Sequence, residues 1–350
     1  MVRIGEIPVG RYKGIIGLVA LVAAAFWFTF SDVFISSQSN PFDTKPFVVG
    51  TNVWPGYEPL YLARELKLFH MDDIKLAEYS SATQVLRAFR NETIQVGAIT
   101  LDEMLLLRES GLDVCIILVT DISNGSDVIL AQPGIKSMQD LKGKRVGVEN
   151  TALGAYVLSR ALQQAGMEPK DVNTVPLEID EHLGAMEKKQ IDAVVTFDPI
   201  KIRLQARGME LIFNSAMIPG EIVDVLVVRQ ETMALYQDRL IKLLEGWFQA
   251  LYYLKTQPES AAKIMAPRMQ IDPEGVLDSY KDLLLPGLEQ NITMLSGPHP
   301  SLDQTMSRLS EIMKETSLLD PHTRIGRVAC PDILNQLKNR SSLEPHDATP

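Results

Sequence analysis

Apolar and polar residues alternate along the chain in a pattern that predicts strands joined to helices, beginning near residue 49. Residues 49–53 carry β-branched side chains with a period of two, which is typical of a strand. The turn Trp54-Pro55-Gly56-Tyr57 follows, because Pro and Gly together favour a change of direction. Apolar residues then recur at helical spacing as far as Phe69. The stretch 49–69 therefore predicts a strand, a tight turn and a helix.

Further predicted strands continue this alternation through a first block of the chain. They lie at 74–79, 94–99 and 114–119. Ser81 is predicted to cap the helix that runs through Phe89, and Thr100 the helix that ends at Gly111. Residues 121–127 are expected to form a polar loop. Because strands and helices alternate, the block predicts an open, largely parallel sheet.

A second block repeats the pattern between about residues 135 and 222. The predicted strands around and within it are Val128–Ala131, Arg145–Val148, 172–177, 192–196 and 210–213. Helices are predicted at 153–165 and 181–189, and a third ends at Gly208. A further strand at 224–228 precedes a region that is helical throughout, at 232–256, 258–266, 273–284 and 301–316. The pattern leaves 289–295 undecided, and the polar end 341–350 is expected to be disordered.

The beginning of the chain differs from the rest. Residues 14–31 carry no charge and follow the basic residues Arg3, Arg11 and Lys13. At ~1.5 Å per residue such a helix can just cross a hydrocarbon core, and the basic flank 1–13 is expected to stay in the cytoplasm. A secretory signal cleaved after Ala25 is the alternative. The apolar run continues beyond that point, which favours an uncleaved anchor followed by a linker at 32–46. Both interpretations place the globular part outside the cytoplasm.

Charge and cysteine usage restrict the function classes. The net charge of −10 and the pI of about 5.1 argue against a nucleic-acid partner. The chain has two cysteines. Cys115 lies in an apolar run and is expected to be a small buried hydrophobic residue, while a disulfide with Cys330 is permitted in an exported protein. No spacing suggests zinc, haem or an iron–sulfur cluster, so no metal or cofactor is predicted.

Signals for an enzyme are weak. The chain contains no GxSxG, HExxH, P-loop or GxGxxG motif. Its five histidines share no catalytic spacing, and none follows a strand beside a nucleophile. The sequence therefore favours a binding protein over an enzyme.

Polar and aromatic turns follow several of the predicted strands in both blocks. If the two blocks face each other, these turns line one cleft, because open α/β sheets bind ligands beyond the carboxyl ends of their strands. The candidate ligand-binding residues are Trp54, Tyr57, Thr100, Asp102, Ser123, Asn124, Asp127, Asn150, Thr151, Tyr156, Phe197, Asp198 and Asp224.

Structural interpretations of the same residues stay open. Trp54 and Tyr57 could pack beneath their loop. Thr100 and Thr151 could act only as helix caps, and Asp198 before a proline could simply begin a helix. The position of Tyr156, one turn into its helix, fits burial under its lobe equally well.

Several motifs in a fixed order resemble a known protein family. They are Trp54-Pro55-Gly56-Tyr57 with Pro59-Leu60, residues 140–149 (DLKGKRVGVE), Ala161-Leu162 to Ala165-Gly166, residues 191–199 (IDAVVTFDP), residues 224–229 (DVLVVR) and residues 261–266 (AAKIMA). Their order over residues 47–316 resembles the extracytoplasmic solute-binding proteins of ABC importers. The likeness is to the group that binds aliphatic sulfonates, taurine, nitrate or thiamine-pyrimidine precursors.

The resemblance implies a periplasmic-binding-protein type 2 fold with two α/β lobes, each a mostly parallel sheet flanked by helices. Lobe I would comprise 47–131 and 226–316, lobe II 132–225, and 317–350 would be a C-terminal tail. The implied mechanism is closure of the lobes about a hinge on a small solute. The implied partners are an inner-membrane ABC permease and its ATPase, and the protein is expected to be a periplasmic monomer held to the membrane by its N-terminal helix.

The charge of the predicted cleft bears on the solute. The predicted cleft carries no obvious arginine, and its acidic residues are Asp102, Asp127, Glu149, Asp198 and Asp224. Because unpaired carboxylates repel an anion, we expect a neutral or cationic, nitrogen-rich solute such as a pyrimidine or an amine, although sulfonate or nitrate stays possible.

Two alternatives from other classes are a membrane-anchored sensory or scaffolding ectodomain, and a thiamine-pyrimidine biosynthetic enzyme. The enzyme is disfavoured because the chain lacks a cysteine cluster and a cytoplasmic address.

Overall fold

The computed structural model of the protein describes residues 47–149 and 152–341. The predicted membrane segment 14–31, the linker 32–46, residues Asn150 and Thr151, and the end of the chain from 342 lie outside the described residues. Within the described ranges, none of the helices combines the length and the apolar character that a membrane span requires.

A six-stranded sheet forms the centre of the first lobe. Its strands are β1 (Phe47–Thr51), β2 (Ile74–Glu78), β3 (Val96–Thr100), β4 (Val114–Ser123), β10 (Val223–Arg229) and β11 (Leu283–Leu284). Their order across the sheet is β11-β4-β10-β3-β1-β2. β1 pairs in parallel with β2 and β3, whereas β10 lies antiparallel between β3 and β4. Strands β1 to β4 therefore share one direction, and β10 opposes them.

The helices of the first lobe come from both ends of the described chain. Those between its first strands are α1 (Glu58–Glu65), α2 (Ala82–Arg90) and α3 (Leu101–Glu109). Those after β10 are α7 (Gln230–Leu235), α8 (Gln237–Thr256), α9 (Pro258–Met269), α10 (Pro273–Ser279), α11 (Leu288–Leu295), α12 (Ser301–Glu315) and α13 (Asp332–Ser341).

The predicted caps begin two of these helices. The side chain of Ser81 accepts the backbone N–H of Gln84 at the start of α2, at 3.4 Å. At α3, Thr100 occupies the N-cap position, but its hydroxyl accepts no backbone N–H; the carboxylate of Glu103 instead accepts the backbone N–H of Thr100, at 3.1 Å. Both contacts satisfy N–H groups at or beside the helix start that have no partner inside the helix. They fix the places where the chain turns from strand to helix.

The second lobe is built on a five-stranded sheet. Its strands are β5 (Val128–Ala131), β6 (Arg145–Val148), β7 (Asn173–Pro176), β8 (Ala193–Thr196) and β9 (Glu210–Asn214). Their order is β7-β6-β8-β5-β9, with β6 parallel to β7 and β8 and with β5 antiparallel to both of its neighbours. The helices of this lobe are α4 (Ala152–Gln164), α5 (His182–Glu187) and α6 (Ile200–Gln205).

The chain crosses between the sheets twice, and each crossing inserts one antiparallel strand. Residues 124–127 lead from β4 into β5, and residues 215–222 lead from β9 into β10. The crossings lie side by side: the hydroxyls of Ser123 and Ser215 are 2.8 Å apart, and the backbone N–H of Ser215 donates to the carbonyl of Asp127 at 2.8 Å. The sheets that the sequence predicts as largely parallel are therefore mixed.

Several predicted boundaries are wrong because strand pairing is a long-range property. The local pattern of residues reveals neither which sheet a strand joins nor how far its pairing extends. Val128–Ala131, assigned to lobe I from the resemblance, pairs with β8 and β9 in the second sheet. The predicted polar loop 121–127 is shorter, because β4 extends to Ser123 and pairs there with β11. The return to the first sheet begins at Val223 rather than at 226.

Differences also occur in the helical region. The predicted helix 232–256 is divided at Tyr236 into α7 and α8, and the predicted helix 273–284 ends at Ser279 before β11. The undecided segment 289–295 lies within α11. The predicted tail from 317 contains α13, which packs against α8 and α11.

A disulfide joins Cys115 to Cys330, with their Cα atoms 5.8 Å apart. Cys115 is 1% exposed, so it is buried as expected, but it is not a lone hydrophobic side chain. The backbone of Ile116 also binds this segment, since its N–H donates to the carbonyl of Val328 and its carbonyl accepts the N–H of Cys330. The C-terminal segment is therefore fastened along β4.

Replacing Cys330 by serine is expected to lower the free energy of unfolding by about 2–4 kcal/mol, because the disulfide closes a long loop in the unfolded chain. Urea denaturation of the purified protein measures the difference. Dithiothreitol should lower the stability of the natural protein and leave Cys330→Ser unchanged. Equal stability of the natural protein with and without the reductant would contradict the disulfide.

Candidate functional site

A cavity lies between the two sheets, where the turns after several strands converge. Its volume is small, about 30 Å³ when measured as the space open to the centre of a water molecule. From the first lobe it is lined by Asn52, Trp54, Tyr57, Ala82, Thr100, Glu103 and Asp224. From the second lobe and the crossing it is lined by Asp127, Glu149, Leu153, Gly154, Val157, His182, Val195, Thr196 and Phe197.

Trp54 connects the turn after β1 with both sides of this cavity. Its indole N–H is directed at the carboxylate of Asp121, with the nitrogen 3.2 and 3.3 Å from the two oxygens. Its rings meet Phe197 of the second lobe edge-on, with centroids 5.3 Å apart and planes at 89°. Only 4% of the residue is exposed. Trp54 is thus both packed in its loop and part of the contact that joins the lobes.

Two neighbouring strands bring a pair of carboxyl groups together behind the tryptophan. Asp224 of β10 is paired in register with Asp121 of β4. The hydroxyl of Tyr57 donates to Asp224. Burial, together with the charge of Asp121, holds the pKa of the Asp224 carboxyl well above its usual range. Burial also raises the pKa of Asp121 to about 7, although the indole N–H of Trp54 opposes that shift.

A second group of acids lies at the start of α3 and at the crossing. Burial raises the pKa of Asp102 to about 6 and that of Asp127 to about 7. Burial and the neighbouring Asp102 raise the pKa of Glu103 as well. Among the described residues, one oxygen of each of these three carboxyl groups has no hydrogen-bond partner. Such atoms are costly in a protein interior, and those of Glu103 and Asp127, which line the cavity, are placed where a bound molecule would complete them.

Glu149 and His182 complete the polar lining from the second lobe. Glu149 follows β6 and accepts hydrogen bonds from the backbone N–H and the hydroxyl of Thr83, at 3.3 and 3.2 Å. Burial raises the pKa of Glu149 to about 7. The Nδ1 atom of His182 lies 3.3 Å from the hydroxyl of Thr196, and burial lowers the pKa of the ring to about 4. His182 is therefore neutral at physiological pH.

The basic side chains near the cavity are engaged elsewhere. The ammonium group of Lys201 lies 2.6 Å from a carboxylate oxygen of Asp282 and 3.3 Å from Asp198. The guanidinium of Arg160 pairs with Glu221 at 2.7 Å. Among the described residues that line the cavity, none is a lysine or an arginine. The cavity therefore contains several carboxyl groups without a cationic partner.

The structure places the predicted site residues in different surroundings. Six of them line the cavity: Trp54, Tyr57, Thr100, Asp127, Phe197 and Asp224. Asn150 and Thr151 lie outside the described residues.

The other predicted residues do not line the cavity, and four of them bind partners elsewhere. The hydroxyl of Tyr156 donates to Glu221 at 2.5 Å, and Asp198 pairs with Lys201. Ser123 binds the other crossing, and Asn124 is exposed and donates its backbone N–H to the carbonyl of Asp282. Asp102 is buried at the start of α3 and does not reach the lining.

Sequence reasoning missed several lining residues. Glu103 was recognisable only as the capping partner of Thr100, and the sequence gives no sign that its other oxygen faces a cavity. Glu149 is counted among the acids of the predicted cleft but is not among the predicted ligand-binding residues, although it lines the cavity. His182, Asn52 and the face of α4 that carries Leu153 and Val157 had no distinguishing pattern.

Comparison with known proteins gives a family and a fold. The NMT1-like family matches residues 41–268. A Brucella abortus (strain 2308) protein described as a binding protein is 32% identical over 151 residues, which cover 42% of this chain and 47% of that protein. The chain thus spans about half the length of the first curated relatives that it matches. The taurine-binding periplasmic protein of Escherichia coli (strain K12) is 21% identical over 262 residues, which cover 72% of this chain and 78% of that protein.

Solved structures share the architecture. The alkanesulfonate-binding protein SsuA from Xanthomonas axonopodis pv. citri, bound to MOPS, superimposes with a TM-score of 0.67 at 17% identity, over 81% of this chain and 96% of that one. The desulfurization enzyme DSZB gives a TM-score of 0.64 at 14% identity, over 85% and 99% of the two chains. These likenesses establish a two-lobed binding-protein fold and not an activity. Since the family match covers well over half of the sequence, the chain belongs to the NMT1-like family.

Proposed function

We propose that the protein is the solute-binding component of an ABC importer and captures a compact, neutral or cationic, nitrogen-rich solute between its lobes. One observation carries the choice of solute. The lining side chains include Glu103, Asp127, Glu149 and Asp224, and within the described residues no lysine or arginine joins them. An amine or amidine N–H can donate to these oxygens, whereas an anion cannot.

The size of the electrostatic effect supports this solute class. Two like charges 4 Å apart at a partly solvated site repel by about 4 kcal/mol, and opposite charges gain a similar amount. Since the pKa values of Asp127 and Glu149 are both raised to about 7, these two carboxyl groups are partly protonated near neutral pH. A cationic solute replaces those protons, while a sulfonate adds a further negative charge.

The aromatic lining suits a flat or cationic group. Trp54, Tyr57 and Phe197 present apolar and π-electron surfaces to the same cavity. Such faces attract organic cations and stack on planar rings. A cavity of about 30 Å³ is far smaller than the roughly 300–1,000 Å³ of ligand pockets, so the lobes would have to separate before an organic solute could enter.

Contacts from both lobes support a hinged mechanism. Trp54 meets Phe197 across the cavity, and Thr83 binds Glu149. A solute that contacts both lobes stabilises only the closed arrangement, which is the form proposed to be delivered to the permease and its ATPase. We place this monomeric protein in the periplasm, as for the periplasmic relatives, with residues 14–31 as its membrane anchor.

The names of the relatives favour a second solute class, the sulfonates, with which the cavity charge disagrees. The enzyme alternative has less support, because the two cysteines are joined in the disulfide and His182 is bound to Thr196. A sensory or scaffolding ectodomain would differ by binding no transported solute.

Thermal unfolding with a panel of solutes tests the proposal. An amine or aminopyrimidine present at 100 times its dissociation constant adds about 2.7 kcal/mol of stability and raises the melting temperature. Ethanesulfonate and nitrate, which carry no amine, are expected to leave it unchanged. A rise with these anions alone would reject the proposed solute class.

Replacing Asp127 by asparagine is expected to weaken binding of a cationic solute at least tenfold, or about 1.4 kcal/mol. The solute-free variant should be as stable as the natural protein at pH 8, since a buried carboxylate with one unsatisfied oxygen is removed. Isothermal titration and melting curves measure both quantities.

The matched control is Asp73→Asn. Asp73 pairs with Lys242 outside the cavity, so this variant makes the same change in net charge and should bind normally. Equal loss of affinity in both variants would mean that only the overall charge matters.

The solute-free protein is expected to lose stability as the pH rises from about 4 to 7. Carboxyl groups titrate near 4 in the unfolded chain, whereas the pKa of Asp127 and that of Glu149 lie at about 7 in the folded one. The folded state therefore binds more protons in this interval, and its advantage is lost as those protons leave.

The affinity for a cationic solute should rise over the same pH interval, because ionised carboxylates bind it better. Titration calorimetry at pH 5 and pH 8 measures this change. An affinity that falls with rising pH, for a solute that does not itself titrate there, would contradict the cationic site.

A further inference from the structure

One contact between the lobes joins the carboxylate of Glu149 to the beginning of helix α2. Thr83 lies in the first turn of α2, and both its backbone N–H and its hydroxyl donate to the same oxygen of Glu149. Glu149 follows β6 of the second lobe and is 5% exposed. The two hydrogen bonds are partly buried, because Thr83 is partly exposed.

The start of α2 is well suited to a negative group. The first N–H groups of a helix have no partner within it, and the helix dipole favours negative charge at that end. Ser81 satisfies the N–H of Gln84, which leaves the N–H of Thr83 for an outside acceptor. The carboxylate of Glu149 is that acceptor.

The backbone around Glu149 holds it in place. A Cβ atom at Gly154 would lie 2.9 Å from the carbonyl oxygen of Glu149 and 3.0 Å from a methyl group of Val148. Glycine therefore permits the close approach of α4 to the end of β6. The packing holds the backbone of Glu149 against α4, while its side chain is held by the two hydrogen bonds from Thr83.

Independent observations indicate that a molecule is received beside this contact. Glu103 and Asp127 each have one buried oxygen without a hydrogen-bond partner among the described residues, and so has the Nε2 atom of His182. All three residues line the same cavity as Glu149 and Ala82. The contact between Glu149 and Thr83 thus borders the space where a solute would bind.

We propose that Glu149 determines specificity: its carboxylate occupies the anion-binding position at the start of α2 and thereby excludes anionic solutes. This inference rests on the proposed function, since it explains how a chain with the fold of sulfonate-binding proteins would reject sulfonates. In Glu149→Ala the N–H and hydroxyl of Thr83 are released, and a sulfonate or sulfate can accept both.

The experiment measures binding of ethanesulfonate and of inorganic sulfate to the full-length protein by isothermal titration. Glu149→Ala is expected to bind at least one of them ten or more times as tightly as the natural protein. Glu149→Gln keeps the shape and a neutral acceptor, so it should gain less. No gain in either variant, with melting curves that show both to be folded, would overturn the inference.

A double variant locates the gained site. In Glu149→Ala with Thr83→Val, the anion loses the hydroxyl donor. The double variant should therefore bind the anion at least threefold more weakly than Glu149→Ala does. A gain that is unaffected by Thr83→Val would mean that the anion binds elsewhere and would overturn the inference.

The matched control is Glu187→Ala, in the same lobe. Glu187 is exposed, pairs with Arg207 and lies outside the cavity lining, so its removal changes the net charge equally. An equal gain in this control would overturn the inference.

The probes are anions, so these outcomes are independent of finding the natural solute. If amines fail to bind the natural protein, the proposed function fails. If anions fail to bind Glu149→Ala, only the role of Glu149 fails.

Discussion

The arrangement of the site depends on the reversal of one strand in each sheet. An antiparallel strand begins at the edge where its parallel neighbours end. Asp224, near the start of β10, is therefore paired with Thr100 at the end of β3, and Val128 at the start of β5 is paired with Thr196 at the end of β8. The two strand exchanges that join the lobes thus also place Asp224 and the adjacent Asp127 at the carboxyl ends of the parallel strands, where ligands bind.

Ion pairs and unpaired carboxyl groups occupy different parts of the region between the lobes. Near the crossings, Lys201 is paired with Asp282 and Arg160 with Glu221, so ionic contacts stabilise the connection between the lobes. Inside the cavity the carboxyl groups lack such partners, and burial raises their pKa values instead. Relatives named for taurine and sulfonates share the fold, but a fold alone does not define a ligand. The solute class proposed here therefore rests on the charge of the cavity.

Local sequence determined much of the fold. Periodicity located β5 and β6 with their observed bounds, and the capping residues marked the starts of α2 and α3. The Pro–Gly turn placed Trp54 and Tyr57 at the edge of the first sheet, where both line the cavity. These features depend on residues close together in the chain, which is why single-sequence patterns can reveal them.

Only the tertiary structure decided which side chains meet. Strand pattern could not assign β5 to the second sheet or predict the docking of α13, because pairing partners lie far apart in sequence. Turn position could not tell that Tyr156 and Asp198 bind Glu221 and Lys201, since a turn fixes where a residue lies and not where its side chain points. Turn position likewise could not tell that Glu103 and His182 line the cavity. The sequence by itself determined the elements and the acidic character of the turns, whereas the packing of two lobes determined the site.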